Sequence, residues 1–286
     1  MQWRGRRESG NVDDQRGSGG GGGGMAFKGG IGTIAIIVVI SLILGKNPLT
    51  LLQQLNDNGG LVSTQQSTTE WTPTPEEAEL ASFVKVVLAD TEDVWNKQMK
   101  NYRDPTLVLF SSSVQSACGN ASASTGPFYC SEDERVYIDL SFYQELKDRF
   151  NAPGDFAQAY VIAHEVGHHV QHILGITDKV HAMSGKLSEE EYNKLSVKLE
   201  LQADFLAGVW AHHADNTNHM IEEGDFEEAI NAASAIGDDR LQQQSQGYVT
   251  PDSFTHGTSE QRVRWFTKGF KSGDINDGDT FNTENL

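Results

Sequence analysis

An apolar segment that carries several histidines constrains the fold of this chain more than any other feature. Residues 156–174 repeat large apolar side chains at spacings of three and four, the pattern of a buried helix, and Gly175 follows where helices commonly end. Inside the segment, the run His-Glu-Val-Gly-His at 164–168 places two imidazoles one turn apart on one helix face. Buried imidazoles and carboxylates need polar partners. The segment therefore predicts a core helix that carries a metal site.

The spacing of this motif indicates its chemistry. Two neutral histidines on one face can bind one Zn²⁺, and a glutamate beside the first can reach a water at the metal. His164 and His168 are therefore the predicted ligands, and Glu165 is the predicted general base. His172 lies one turn further on as an alternative ligand, but no glutamate occupies the matching base position. The structural alternative, a buried helix that merely contains polar residues, leaves these side chains without partners.

A third ligand is expected downstream, because catalytic zinc keeps three protein ligands and leaves the fourth position to water. Ser188 and Glu191 form a capping-box pattern before a second helical stripe, which carries Glu200 and Asp204 one turn apart. Glu200 is the predicted third ligand. Asp204 is predicted to accept the free N–H of a ligand histidine. The alternative, a pair of solvated charges, fits an apolar stripe poorly.

His256 and Arg262 stand on either side of a predicted helix start, with Thr258 as N-cap and Gln261 at N3. Both side chains can donate to an oxyanion that develops during a reaction. They are therefore candidate catalytic residues. A capped, charged surface turn explains the same pattern equally well.

Taken together, these motifs resemble the bacterial putative neutral zinc metallopeptidases, a membrane-anchored group of zincins. The resemblance is carried by HEVGHHVQH at 164–172, ELQAD at 200–204 and HGTSEQR at 256–262, and it extends to residues 1–14 and 118–140. More distantly, the motifs resemble those of the gluzincin peptidases.

This resemblance implies a zinc-dependent peptidase with an α+β, helix-rich, zincin-like domain and a small sheet. It assigns the roles described above to the ligands and to Glu165, and it places His256 and Arg262 near the substrate. In zincins an edge strand beside the metal helix holds the substrate backbone. The resemblance implies this role for Val136–Leu140.

Residues 29–45 are uncharged and mostly apolar, at the short limit for a helix that spans a bilayer. A cleaved signal peptide is the alternative, but no A-x-A-like cleavage site follows. A buried core helix is disfavoured by the Gly-rich and polar flanks. We therefore predict a basic, Gly-rich cytoplasmic tail at 1–28, a transmembrane anchor at 29–45, a polar linker at 46–73 and a metallopeptidase domain at 74–286.

Positive charges predict the orientation of this anchor. Five basic residues precede it, whereas Lys46 alone follows closely: they are Arg4, Arg6, Arg7, Arg16 and Lys28. The positive-inside rule then places the N-terminus in the cytoplasm and the domain on the periplasmic side of the bacterial inner membrane.

Cys118 and Cys130 flank a segment rich in Gly, Ser and Ala. In an oxidising compartment a bridge between them would contribute about 3 kcal/mol in the chain-entropy model. Free thiols and additional metal ligands are the alternatives, but the spacing matches no common zinc pattern. The sequence favours a disulfide.

Net charge and local patterns complete the prediction. The formal net charge of −18 disfavours nucleic acid as a partner. Strands are predicted at 106–110 and 135–140, and short helices at 141–150 and 226–236. The predicted function is a membrane-anchored peptidase acting on protein or peptide substrates. The alternatives are a catalytically silent zinc-binding scaffold and a zinc hydrolase of a non-protein amide.

Overall fold

The computed structural model describes residues 1–17, 71–283 and 285–286. The predicted anchor at 29–45 and most of the predicted linker at 46–73 lie outside these residues. Among the helices that are described, none combines the length and apolar composition needed to cross a bilayer.

The predicted α+β architecture, helix-rich with small sheets, agrees with the fold of the described residues. The strands are β1 (Val12–Asp14), β2 (Thr106–Phe110), β3 (Ser113–Ser116), β4 (Gly119–Ser122), β5 (Phe128–Cys130) and β6 (Arg135–Asp139). The helices are α1 (Pro75–Gln98), α2 (Ser141–Asp148), α3 (Asp155–Ile173), α4 (Ile176–His181), α5 (Glu189–Asn218), α6 (Asp225–Ala235), α7 (Asp238–Gln246) and α8 (Ser259–Ser272). The strands and short helices predicted from sequence are confirmed as β2, β6, α2 and α6.

Four strands form a mixed sheet in the order β1-β2-β6-β5, and β3 pairs with β4 in a separate hairpin. β1, β2 and β6 are parallel, whereas β5 runs antiparallel to β6. The expectation that Val136–Leu140 is an edge strand is wrong, because β6 has a neighbour on each side. The three-residue strand β5 forms that edge instead.

The first residues of the chain are a folded part of this domain. β1 pairs with β2 along its whole length. Trp3 is only 7% exposed and packs edge-to-face on Phe83 of α1, with 5.4 Å between ring centroids. Arg6 donates to Asp90 of the same helix at 3.1 Å. Backbone pairing, apolar packing and an ion pair thus hold residues 3–14 against β2 and α1.

These contacts correct the predicted domain boundaries. Residues 1–16 form one compact unit with residues 73–286, instead of belonging to a separate cytoplasmic tail at 1–28. Two strands pair only within one compartment, so this sheet does not fit an N-terminus in the cytoplasm with the domain outside it. The N-terminal arginines suggested a topology signal, but Arg6 and Arg7 form ion pairs with carboxylates of α1.

A close contact between α3 and α5 positions the metal-binding motifs. A Cβ added at Gly167 would lie 3.0 Å from the carbonyl oxygen of Ala203 and 3.2 Å from its Cα. Glycine therefore allows the two backbones to approach more closely than a side chain would permit. Both helices begin where the sequence requires, and Ser188 with Glu191 forms the predicted capping box of α5.

Candidate metal centre

The three predicted ligands meet between α3 and α5. Nε2 of His164 lies 3.2 Å from Oε2 of Glu200, and Nε2 of His168 lies 3.5 Å from the same oxygen. The three side chains offer ligand atoms that all lie within 4.8 Å of one another. Two imidazole nitrogens and one carboxylate oxygen form a donor set that suits Zn²⁺.

Asp204 holds the far side of the first histidine. Its side chain is fully buried, and its Oδ1 lies 2.9 Å from Nδ1 of His164. The hydroxyl of Tyr160 donates to the same carboxylate. Arg262 donates to it twice, from Nε to Oδ2 at 2.8 Å and from Nη2 to Oδ1 at 3.0 Å. Asp204 therefore fixes the ring of His164 with Nε2 directed at Glu200.

The electrostatics of the site favour positive charge between the three ligands. Burial lowers the pKa of His164, but the carboxylates of Asp204 and Glu200 outweigh burial and raise this pKa to about 10. Glu200 likewise raises the pKa of His168 against the effect of burial. Burial raises the pKa of Asp204, but Arg262 and His164 lower it overall to about 2. The carboxylates of Glu200 and Asp204 thus stabilise positive charge at this point, whether it is carried by a proton or by a metal cation.

Glu165 lies beside this centre. Glu165 is 8% exposed, and it lines a cleft of about 420 Å³ together with His164, His168 and Glu200. A carboxylate in this position faces the same space as the ligand atoms. The general-base role of Glu165 stays a prediction from the motif.

His256 also lines the cleft, at a more exposed position. Its side chain is 50% exposed, and its Nδ1 lies 3.3 Å from Oδ1 of Asp238. The other oxygen of Asp238 accepts backbone N–H bonds from Thr255, His256 and Gly257 at 2.8, 2.7 and 3.0 Å. The carboxylate of Asp238 thus fixes both the backbone of residues 255–257 and the imidazole ring of His256.

Arg262 lines the cleft and is also buried against Asp204. The residue is only 2% exposed, and it donates to Asp204, to Tyr160 and to the carbonyl of Ile236. Each of its three nitrogens therefore donates to an acceptor within the protein. This arrangement makes Arg262 a support for Asp204, and its donation to a reacting oxyanion stays a prediction.

The remaining histidines of the motif lie outside the ligand group. Nε2 of His172 is 3.6 Å from Glu134, and its other nitrogen is 3.6 Å from Asp178, so it is not the alternative ligand. His169 is fully buried on another face of α3, where it contacts Tyr129.

Two residues of the site, Tyr160 and Asp238, were not predicted from the sequence. Tyr160 stands one turn before His164, so helical spacing alone could have placed it on the same face as this ligand. Asp238 is distant in sequence from the loop that it holds, and no local pattern indicates it.

The predicted disulfide between Cys118 and Cys130 is confirmed, with an S–S distance of 2.05 Å. It joins the last residue of β5 to the turn between β3 and β4. The edge strand beside the cleft is thereby linked covalently to the neighbouring hairpin.

An HExxH helix packed against a second helix that supplies a glutamate defines a class of zinc-binding proteins. The chain belongs to the family described as "Putative neutral zinc metallopeptidase", which matches residues 1–281. The cofactor that this family implies is Zn²⁺.

Two relatives illustrate the extent of the similarity. "Uncharacterized protein YpfJ" of Escherichia coli (strain K12) is 50% identical over 292 residues, covering 98% of this chain and 99% of the relative. "Uncharacterized protein Rv2575" of Mycobacterium tuberculosis (strain ATCC 25618 / H37Rv) is 41% identical over 203 residues, 68% of either chain. No solved structure is similar enough to count as a match.

Proposed function

We propose that the protein is a zinc-dependent peptidase that hydrolyses peptide bonds in protein or peptide substrates. The observation that carries the proposal is the convergence of His164, His168 and Glu200 on one point, with Glu165 in the same cleft. The residues fit the metal, because the donor atoms are of the type that zinc prefers and Asp204 keeps Nε2 of His164 directed at them.

When bound, zinc polarises a carbonyl group and lowers the pKa of water. The protein supplies the other steps. Glu165 takes a proton from the attacking water and delivers it to the leaving amine. His256, held by Asp238 at the rim of the cleft, donates to the oxyanion that develops on the scissile carbonyl. Arg262 contributes indirectly, because it keeps Asp204 in place behind His164.

The test compares the full chain with its Glu165→Gln variant in zinc content and in cleavage of casein. We expect stoichiometric zinc in both proteins, and a loss of cleavage of about 10²–10⁴-fold in the variant, the usual contribution of a general base. Glu189→Gln is a matched control, since Glu189 is an exposed residue in the first turn of α5.

Other results would identify the alternatives. Zinc in both proteins without any cleavage would favour a scaffold. Release of a non-protein amide that depends on Glu165, without casein cleavage, would favour the other hydrolase class. Absence of zinc from the purified wild-type protein, even after zinc is added, would refute the proposal.

We also propose that the domain acts outside the cytoplasm, attached to a membrane through residues 29–45. The disulfide supports the location, because disulfides persist in oxidising compartments. The attachment stays a prediction, and it requires residues 1–16 and 73–286 to lie on one side of the membrane. Protease digestion of intact and permeabilised cells tests it, since tags at the N-terminus and in the domain should become accessible together.

A further inference from the structure

The edge strand beside the metal centre is connected to α3 by a chain of hydrogen bonds. Tyr129, the middle residue of β5, has its hydroxyl 2.9 Å from Nδ1 of His169. Nε2 of His169 lies 2.6 Å from the carbonyl oxygen of Arg103. A carbonyl only accepts, so Nε2 carries the ring proton. Nδ1 must then accept, and the Tyr129 hydroxyl donates to it.

The alternation of side chains along β5 makes this contact specific. Phe128 stacks on Tyr137 with 4.7 Å between ring centroids, and Cys130 is buried in the same small cluster with Val108. Tyr129 points to the opposite face of the strand. There its ring meets that of His169 at 5.4 Å between centroids. Tyr129 is thus the side chain through which β5 is held against α3.

The position of β5 matters because of what it borders. Residues 125–129 line the same cleft as Glu165 and His168. On its other side β5 pairs with β6, and no strand within residues 1–17 and 71–283 pairs with its outer edge. A free strand edge offers backbone groups that an extended peptide can pair with. His169 directly follows His168, so the hydrogen bond ties this edge to the metal-binding turn of α3.

We propose that His169 is a positioning residue, which through Tyr129 sets the position of β5 so that an extended peptide paired with this edge lies beside Glu165. The inference deepens the proposed peptidase function and rests on it for the substrate. It gives His169 a role of its own beside the two ligand histidines. The experiment that tests this role is Tyr129→Phe, which removes the hydroxyl of Tyr129 and leaves its ring, the disulfide and the metal ligands in place.

The first measurement is hydrogen exchange of the full, zinc-loaded chain carrying Tyr129→Phe. We expect exchange of the β5 amides to accelerate about tenfold, the usual effect of one lost buried hydrogen bond, with the amides of α5 unchanged. Tyr143→Phe is the matched control, because Tyr143 is 4% exposed and its buried hydroxyl has no hydrogen-bond partner. Unchanged exchange in β5 would overturn the positioning role, whether or not the protein is a peptidase.

The second measurement separates substrate positioning from chemistry. For an eight-residue peptide taken from the casein fragments, we expect Tyr129→Phe to raise KM about tenfold, with zinc content and kcat retained. A blocked dipeptide, too short to pair along β5, should show no change. An equal loss on both substrates, or no loss on either, would overturn the proposal.

If the wild-type chain cleaves nothing, the proposed function fails, but hydrogen exchange of the β5 amides still tests whether a peptide pairs with this edge. In that case, a tryptic digest of casein should protect the β5 amides in the zinc-loaded Glu165→Gln chain. The protection should be lost when Tyr129→Phe is added. Absence of protection in the Glu165→Gln chain would overturn the pairing with β5.

Discussion

Gly167→Ala tests whether the close approach of α3 and α5 sets the distances between the metal ligands. The added Cβ would lie 3.0 Å from the carbonyl oxygen of Ala203 and 3.2 Å from its Cα, against 3.4–4 Å for ordinary contact. Both atoms belong to the backbone of a long helix, so they cannot turn aside as a side chain would. The helices must separate by a few tenths of an ångström.

This displacement affects both metal binding and folding. Zinc sites hold their ligand distances to within about 0.2 Å, so we expect the zinc affinity to fall by about tenfold or more. Alanine in place of glycine stabilises a helix interior by about 1 kcal/mol, whereas overpacking costs about 1–3 kcal/mol. The metal-free protein should therefore lose at most about 2 kcal/mol in its free energy of unfolding.

Zinc affinity is measured by competition with a chelator, and stability by urea unfolding in the presence of EDTA. Ala203→Gly is the control, because the atoms that face Gly167 are backbone atoms and remain in that variant. The double variant should bind zinc as weakly as Gly167→Ala. Wild-type zinc affinity in Gly167→Ala, or its recovery in the double variant, would refute the reasoning.

Three further predictions concern packing and buried charge. Trp3→Ala should lower the free energy of unfolding by about 3–5 kcal/mol in urea titrations of the full chain, because it leaves a cavity against Phe83. Burial raises the pKa of Asp90 from 3.8 to about 6, so the folded state binds this proton more tightly than the unfolded state. This contribution to the free energy of unfolding is complete below pH 3.8 and falls by about 3 kcal/mol as pH rises through 6. Asp90→Asn should abolish this part of the pH dependence, which urea unfolding at several pH values measures. Arg262→Met should lower the free energy of unfolding by about 3–5 kcal/mol, because it leaves the carboxylate of Asp204 buried without its cation. A urea unfolding midpoint equal to that of wild type would show that this ion pair does not stabilise the fold.

The ligand set was predictable because it depends on helical periodicity. His164 and His168 are one turn apart on one helix, and Glu200 and Asp204 are one turn apart on another. Two amphipathic helices of one small domain bury their apolar faces in a common core, and this brings the two motifs together. The capping box at Ser188 marked the start of the second helix correctly.

The sheet edges were not predictable in this way. β5 is a three-residue strand preceded by Gly126 and Pro127, too short to show the alternation that marks a strand. β1 pairs with residues that lie far along the chain, and long-range parallel pairing leaves no local signal. The ion pair of Arg262 with Asp204 was missed for a similar reason, since burial of one side chain against another is decided by tertiary packing.

The placement of β1 has a consequence for how the domain behaves in solution. β1 is a short outer strand that carries Asp13 and Asp14, features that discourage pairing with other chains. Its neighbour β2 reads Thr-Leu-Val-Leu-Phe and is mostly buried. A fragment that starts at residue 74 would leave that apolar strand with an unpaired edge, ready to join the same edge of another molecule. The first residues of the chain therefore protect the domain against aggregation.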